Sequence, residues 1–185
     1  MKNYLIITLL IGSLSFAQQL TLDTSQSKIK WTGKEITTKE HYGSLAFNNG
    51  TLTFKNNKPD KGNFVVDMTS LQNEDLSEDY RGRLEGHLKS DDFFSVDKFP
   101  EAMLNITQST QNDQNNYSVE GLLTIKGATH PISFNMIKVN SIWEAKMVFD
   151  RAKYNVQFRS GSFFENLGDK LIYDDIVIET QLVFN

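Results

Sequence analysis

The amino-acid sequence predicts an all-β fold of about eight antiparallel strands, arranged as an up-and-down barrel or a sandwich, with one helix near the middle. Short segments of alternating apolar and polar residues recur along the chain and are joined by local turns, which is typical of such folds. The final segment, 175–184, is so apolar that it needs a partner on both edges. A closed barrel supplies both partners, so the barrel is the favoured form.

The N-terminal residues have the pattern of a secretory signal peptide. A basic start precedes an apolar run at 4–11, and small residues follow it up to Ala17. The run is too short for a membrane span of about 20 residues. We expect cleavage between Ala17 and Gln18, which makes residues 1–17 a signal peptide and residues 18–185 one domain. That domain is predicted to be soluble outside the cytoplasm, periplasmic or secreted; the alternative is a buried N-terminal strand.

Composition sets limits on the class of protein. The chain has 185 residues, a formal net charge of −4 and no cysteine, so no disulfide can stabilise it. The basic residues are scattered and form no stripe suited to nucleic acid. Thirteen phenylalanines give the chain a large capacity to bury apolar surface. We find no repeat and no linker, which indicates a single domain with a sizeable core.

The strands are predicted in chain order. Ile29 and Trp31 alternate with lysines, which indicates a half-buried strand over 27–36. A strand over 41–47 is followed by Asn48-Asn49-Gly50, a hairpin signal because Asn and Gly tolerate positive φ angles. The remaining predicted strands are 51–54, 63–68, 102–107, 117–126, 131–139, 142–149 and 175–184, with turns at 56–62, 112–116 and 127–130, and 151–168 ambiguous.

One helix is predicted over 77–89. Leu76, Tyr80, Leu84 and Leu88 recur at intervals of four residues, with charged residues between them. This spacing places one apolar stripe along a helix. We expect the stripe to pack against the open end or the flank of a curved sheet.

The sequence gives little support to catalysis. The three histidines, His41, His87 and His130, lack metal-ligand spacing to one another, and there is no cysteine to complete a site. Ser162 follows a glycine but lacks the second glycine of a nucleophile elbow. No glycine-rich phosphate loop precedes a helix. We therefore predict that the protein is not an enzyme and that it uses no metal and no cofactor.

Apolar capacity is what the sequence does offer. An eight-stranded barrel is about wide enough either to be filled by its own side chains or to hold one small ligand. For any single apolar residue, packing in a core is the alternative to contact with a ligand. The residues predicted to face inward are Leu45, Phe47, Phe64, Val66, Leu123, Ile125, Phe134 and Phe149.

Six motifs in one order resemble the YceI-like, or polyisoprenoid-binding, family. In chain order they are Trp31–Lys34, His41–Gly43, Phe64–Met68, Gly86–Phe94 with Lys98–Pro100 behind it, Gly121–Gly127, and Asp150-Arg151 with Tyr154. The resemblance covers residues 20–184. It departs at Asn155, where the family's glycine is expected after the tyrosine, and this puts the local backbone there in doubt.

The resemblance implies a lipocalin-like, eight-stranded antiparallel barrel with a helix near its mouth. It also implies a periplasmic or secreted location and a long apolar ligand, such as a polyisoprenoid lipid, that is bound and not transformed. We expect His87 or Lys89 to meet a polar head of that ligand. The residues expected to form an apolar wall beside the helix are Leu84, Leu88, Phe93 and Phe94. The alternative is that the helix only plugs the barrel.

Three functions remain open on the sequence alone. The first is extracytoplasmic binding, transport or storage of an apolar lipid. The second is an enzyme or redox partner acting on a bound quinone or prenyl compound, for which His41 is the candidate titratable group. The third is a ligand-free, stress-protective barrel. The predicted partner is the lipid, with no nucleic acid and no membrane span, and the sequence leaves open whether the protein forms a homodimer.

Overall fold

The structure is a computed structural model that describes residues 17–185. The predicted signal peptide lies outside the described residues apart from Ala17, which begins the first strand. Between residues 17 and 185 there are nine strands and one α-helix. They are β1 (Ala17–Thr21), β2 (Lys28–Lys34), β3 (Glu40–Lys55), β4 (Lys58–Asn73), α1 (Glu78–Lys89), β5 (Glu101–Gln111), β6 (Asn116–Ile125), β7 (Ala128–Val139), β8 (Ile142–Asp150) and β9 (Asp175–Leu182).

Strands β2 to β9 form a closed antiparallel barrel in which each strand pairs with the next one along the chain. The pairing of β9 with β2 closes the wall, with Lys28 opposite Gln181 and Thr32 opposite Val177. Strand β1 pairs with the half of β3 that β2 does not use, so Ala17 lies opposite Lys55. The predicted eight-stranded up-and-down barrel with one helix is therefore confirmed.

The hairpin predicted at Asn48-Asn49-Gly50 is wrong, because β3 continues through these residues. None of them has a positive φ angle. The register against β4 shifts between Phe47 and Asn49, so Asn48 is the extra residue of a β-bulge. Gly50 serves close packing, since a Cβ atom there would lie 2.7 Å from the Phe64 ring. Predicted strands 41–47 and 51–54 are thus one long strand.

The actual hairpin turn follows β3. Asn56 and Asn57 have φ angles of 52° and 64°, and Lys55 pairs directly with Lys58 on either side of them. Positive φ at both central residues is the geometry of a two-residue hairpin turn that matches the strand twist. A second such turn is formed by Lys126-Gly127, which is shorter than the predicted turn at 127–130 because β7 begins at Ala128.

The two ends of the barrel differ. In an up-and-down barrel alternate connections lie at the same end. One end is closed by short turns, and there the Trp143 ring packs 5.7 Å from Phe54 and 5.5 Å from Tyr117. The other end carries the long connections 74–100, which contains α1, and 151–174. The barrel is therefore plugged by aromatic residues at one end and covered by α1 and a long loop at the other.

Helix α1 is predicted almost to its bounds and is tied to β4 by two side chains of its C-terminal half. The Glu85 carboxylate accepts the backbone N–H of Asn73 at 2.8 Å. The Lys89 ammonium donates to the carbonyl of Thr69 at 2.8 Å. These two bonds fix the C-terminal half of the helix across the barrel end. Leu88 is buried and Leu84 packs against the core, whereas Tyr80, which belongs to the predicted stripe, is 61% exposed.

Candidate functional site

A cavity of about 720 Å³ lies inside the barrel and extends from α1 toward the aromatic plug. This volume falls within the roughly 300–1,000 Å³ of pockets that hold small ligands. Its wall is predominantly apolar, and its deepest lining residues include Ile106, Met136 and Leu182. Trp143 and Tyr117 lie beyond these residues and do not line it. The barrel thus encloses an apolar space that its own side chains leave unfilled.

The structure brings all the predicted ligand-binding residues together around this cavity. Eight of them lie on strands. Four more form the apolar wall of α1 and the residues that follow it, and the last is His87 on α1. They are Leu45, Phe47, Phe64, Val66, Leu84, His87, Leu88, Phe93, Phe94, Leu123, Ile125, Phe134 and Phe149. Contact between these residues and a ligand stays a prediction.

Other lining residues were missed by sequence reasoning. Met147 and Ala145 lie two and four positions before Phe149 on β8, so strict alternation along the strand places them on the same face. The same rule would have found Trp31 and Ile29 on β2. Phe158 lines the cavity from the ambiguous segment, where no periodic pattern exists to reveal it.

The apolar wall beside α1 is held by local contacts. The N–H of Phe94 donates to the Leu88 carbonyl at 3.1 Å, which folds the chain back under the helix. The rings of Phe93 and Phe94 pack edge to face with centroids 4.9 Å apart. The guanidinium of Arg151 lies 5.2 Å from the Phe93 ring centroid, a cation–π contact. The wall is therefore preorganised without a ligand.

His87 has an unusual environment within this wall. Its ring packs edge to face on Phe158, with centroids 4.3 Å apart, and lies 5.8 Å from Phe93. Its Nε2 atom is buried and has no hydrogen-bond partner among the described residues. A buried polar atom without a partner costs about 1–3 kcal/mol. Lys89, the alternative candidate for a polar head, is bonded to Thr69 and does not line the cavity.

Arg151 fixes the long loop 151–174. Its side chain is fully buried and donates to the carbonyls of Tyr173, Val156 and Ile172 at 3.2–3.3 Å. Burial lowers the pKa of Arg151, while the negative charge of Asp174, 3.2 Å away, opposes that shift. A buried charge is tolerated when it is paired and hydrogen-bonded. The guanidinium thus joins the start of the loop, at Val156, to its end, at Ile172 and Tyr173, beside the cavity mouth.

The backbone at Asn155 is left-handed, a conformation that glycine adopts readily. Its φ angle is 58° and its ψ angle is 33°, in the left-handed region. Asn is among the non-glycine residues that tolerate this region. The residue that stands where the motif has glycine is therefore compatible with a left-handed backbone at this position.

Two ion pairs lie at the mouth on the β2–β3 side. Lys34 pairs with Glu40. The Nδ1 atom of His41 lies 2.8 Å from the Asp75 carboxylate. Burial raises the pKa of Asp75, but hydrogen bonds from His41, from the Tyr42 N–H and from Asn73 outweigh it, so the pKa is lowered from 3.8. Lys34 and His41, the basic residues that line the cavity on this side, thus both have an acidic partner.

Among residues 17–185, no group of three or more histidines, cysteines and acidic residues is arranged to hold a metal ion. No helix in the same range is long and apolar enough to cross a membrane.

Comparison with known proteins gives consistent similarities. A UPF0312 protein of Yersinia enterocolitica is 27% identical over 181 residues, which is 91% of each chain. Protein YceI of Escherichia coli O17:K52:H18 is 26% identical over 145 residues, covering 76% of this chain and 72% of the relative.

Solved structures show the same fold. Burkholderia cenocepacia BcnA superposes with a TM-score of 0.65 at 19% identity, over 87% of this chain and 98% of that one. A polyisoprenoid binding domain from Saccharophagus degradans, implicated in plant cell wall breakdown, gives a TM-score of 0.59 at 12% identity, over 90% and 97% of the two chains.

The YceI-like domain family matches residues 20–184, nearly all of the described chain. With the closed barrel, the helix across its end and the motifs in their order, this match establishes the relationship. The protein belongs to the YceI-like family.

Proposed function

We propose that the protein binds a long apolar lipid of the polyisoprenoid type in its barrel cavity, carrying or storing it outside the cytoplasm without transforming it. The observation that carries this proposal is the unfilled apolar cavity of about 720 Å³. The Saccharophagus degradans domain, which shares the fold, is described as polyisoprenoid-binding and supports this ligand class. The extracytoplasmic location rests on the signal-peptide pattern of residues 1–17.

The size of the cavity suits such a ligand. At the ~30 Å³ that a water-sized group occupies in a liquid, the cavity holds roughly 20–25 carbon-sized groups. Burial contributes about 0.8 kcal/mol per CH₂ group, before the cost of ordering the chain. A lipid chain of several isoprene units would therefore bind firmly through apolar contact alone, and cavity length would set its specificity.

Mass spectrometry of lipids that copurify with the native protein tests the proposal. We expect one class of long-chain isoprenoid at near-stoichiometric amounts. An Ala145→Phe variant should lose the lipid, because Ala145 is buried on the cavity wall and a phenyl ring there occupies the ligand's space. Ala46→Phe is the matched control, since Ala46 is exposed on β3. A wild-type protein that carries no lipid and takes none up would refute the proposal.

One observation favours a second candidate, an enzyme or redox partner acting on a bound prenyl compound or quinone. His41 lines the cavity, and Asp75 orients its ring. This candidate requires that the purified protein turn over a bound quinone and that His41→Ala abolish the turnover while leaving binding in place. Binding without turnover supports the carrier.

A further inference from the structure

Within residues 17–185, the exposed aromatic side chains lie toward the cavity mouth. One is near the start of β3, one is on α1 and three are on the loop 151–174. They are Tyr42, Tyr80, Phe163, Phe164 and Tyr173. At the opposite end, Phe54, Tyr117 and Trp143 are buried in the aromatic plug. The two ends of the barrel thus present different surfaces to their surroundings.

The two phenylalanines of the loop are held firmly in an exposed position. Phe163 and Phe164 are adjacent, and they are 43% and 48% exposed. Their backbone N–H groups both donate to the carbonyl of Ser160, at 3.2 Å and 3.0 Å. The hydroxyls of Ser160 and Ser162 donate to the Asp174 carboxylate, each at 2.8 Å. These hydrogen bonds anchor the turn to the end of the loop, and the turn keeps two large apolar rings in contact with water.

Further exposed apolar residues adjoin this turn. The backbone N–H of Ile36 donates to the Leu171 carbonyl at 3.0 Å, and a Cβ atom at Gly161 would lie 3.2 Å from the Leu171 side chain. The N–H of Tyr173 donates to the Lys34 carbonyl at 2.9 Å. The end of the loop therefore joins the β2–β3 connection to the turn. The four exposed residues of this region, here called the rim patch, are Ile36, Phe163, Phe164 and Tyr173.

The rim patch borders the mouth of the cavity. Glu35 and Ile172 line the cavity, and the residues that follow them in the chain, Ile36 and Tyr173, belong to the patch. On the helix side, Tyr80 both lines the cavity and is exposed. Since the aromatic plug fills the opposite end of the barrel, a lipid that enters at the mouth passes beside this apolar surface.

Charge around the two phenylalanines is balanced. Segment 159–170 has two basic residues, Arg159 and Lys170, and two acidic residues, Glu165 and Asp169, so its formal net charge is zero. The whole chain has a net charge of −4. An apolar surface without net charge does not favour a strongly charged partner. It suits the boundary between the headgroups and the acyl chains of a membrane, where binding strength scales with buried apolar area.

We infer that the mouth of the barrel docks on the surface of a phospholipid bilayer, with Phe163 and Phe164 inserted between headgroups and acyl chains. Contiguous exposed apolar patches mark sites of interaction with proteins or membranes. The position of the rim patch beside an apolar cavity favours the membrane, because a docked mouth lets a lipid pass into the barrel without exposing its chain to water. The docking goes beyond the proposed function, and only its purpose, the transfer of a lipid, rests on that function.

Flotation with vesicles tests the inference. The delipidated protein is mixed with phosphatidylcholine vesicles, which carry no net charge, and the bound fraction is measured after centrifugation. We expect the wild-type protein to float with the vesicles. Phe163→Thr combined with Phe164→Thr should weaken binding at least about tenfold, because two rings lose their burial in the bilayer. Binding should change little with salt, since apolar contacts are not screened as charges are.

Leu122→Thr combined with Val148→Thr is the matched control. Leu122 and Val148 are 42% and 47% exposed on β6 and β8, and neither lines the cavity. This wall variant should bind vesicles as the wild type does.

A fluorescent variant reports insertion directly and keeps an aromatic ring in the turn. The emission of Phe164→Trp should shift to the blue when vesicles are added, and lipids with brominated acyl chains should quench it. Val148→Trp should show neither effect. Trp31 and Trp143 are buried and are common to both variants.

Each outcome separates docking from lipid carriage. A wild-type protein that does not float, a loop variant that floats equally well, or an equal loss in the wall variant overturns the inference. So does a dimer in sedimentation velocity that the loop variant abolishes, without vesicle binding, because a second copy would then cover the patch. A protein that copurifies with lipid but ignores vesicles keeps the proposed function and loses the docking. One that binds vesicles but holds no lipid keeps the docking and loses the function.

Discussion

The buried Nε2 atom of His87 opposes folding in the absence of a ligand. It has no hydrogen-bond partner among residues 17–185, and its ring lies between Phe158 and Phe93. Replacing a buried, unpaired polar group by an apolar one of similar shape is neutral or stabilising. We therefore expect His87→Phe to raise the free energy of unfolding of the delipidated protein by about 1 kcal/mol in urea titrations.

His130→Phe serves as the control for this substitution. The ring of His130 also packs edge to face on an aromatic residue, Tyr154, at 5.2 Å, but its nitrogens are not among the buried atoms without partners. It should give no comparable gain. A His87→Phe protein that is less stable than the wild type would mean that Nε2 does have a partner.

The Asp75 carboxylate makes the fold sensitive to acid. Burial raises its pKa, but hydrogen bonds from His41, Tyr42 and Asn73 outweigh burial, so its pKa in the folded state lies below 3.8. A lowered carboxylate pKa gives stability that is present above the unfolded-state value and is lost as pH falls through the folded-state value. We expect the free energy of unfolding to decline below about pH 4.

Asp75→Asn should flatten part of this decline, measured as unfolding free energy against pH between about 2 and 6. Asp97→Asn is the control, because Asp97 is exposed. The pKa of Asp23, Asp91 and Asp113 is lowered as well, chiefly by side-chain hydrogen bonds, so some decline should survive the substitution. Identical pH profiles for Asp75→Asn and the wild type would contradict the prediction.

At the scale of the element, α1 owes its stability to packing more than to its sequence. It contains Gly82 and Gly86, and a Cβ atom at either would meet nothing within 4 Å. A glycine inside a helix costs about 0.5–1 kcal/mol relative to alanine. Gly82→Ala should therefore stabilise the protein by about that amount, as measured by the midpoint of urea unfolding.

Gly43→Ala is the opposing case. Gly43 pairs with both Trp31 and Asn73, and an added Cβ atom would collide with the backbone carbonyl of Gln72. Backbone cannot move aside as a flexible side chain can, so we expect a loss of at least about 2 kcal/mol. If Gly82→Ala and Gly43→Ala changed the free energy of unfolding equally, the expected difference between α1 and the β3–β4 pairing would be contradicted.

The elements differ in how well their sequence predicts them. The apolar residues from Leu76 to Leu88 recur at a constant interval of four residues, so α1 was predicted nearly to its bounds. Asn48–Gly50 and Asn56-Asn57 both offer turn residues, and only the register of β3 against β4 shows that the first contains a bulge. The loop 151–174 has no periodic pattern of apolar residues, because it is held in place by buried hydrogen bonds from Arg151.

At the scale of the whole molecule, a bound lipid and the folded barrel stabilise each other. A ligand that binds only the native state at 100 times its dissociation constant adds about 2.7 kcal/mol. For a domain of this size, that corresponds to a shift of about 5–10 °C in Tm. Delipidated protein should melt lower by this amount in calorimetry, and adding extracted lipid back should restore the value. Equal melting temperatures for the loaded and stripped protein would contradict the prediction.

The cavity is predictable in part from sequence. Alternation assigns an inward face to each strand, and this is why the residues predicted from the strands lie on the cavity wall. The alternation of apolar and polar residues along a strand does not show whether side chains from opposite walls of the barrel meet and fill the interior. Here Trp143, Tyr117 and Phe54 fill one end, whereas the short side chains of Ala102 and Ala145 leave space in the cavity that they line. The volume of the cavity depends on the combined size of the inward-facing side chains of all the strands, so it could be determined only from the structure.

The seam between β2 and β9 joins Lys28 to Gln181, nearly the full length of the described chain. A chain growing from its N-terminus therefore has no closed barrel until β9 is free to pair with β2 and β8. If synthesis stops before Asp175, β2 and β8 are edge strands, and each exposes unpaired N–H and C=O groups to neighbouring molecules. The pairing of β9 thus covers both exposed strand edges and encloses the barrel interior in a single event.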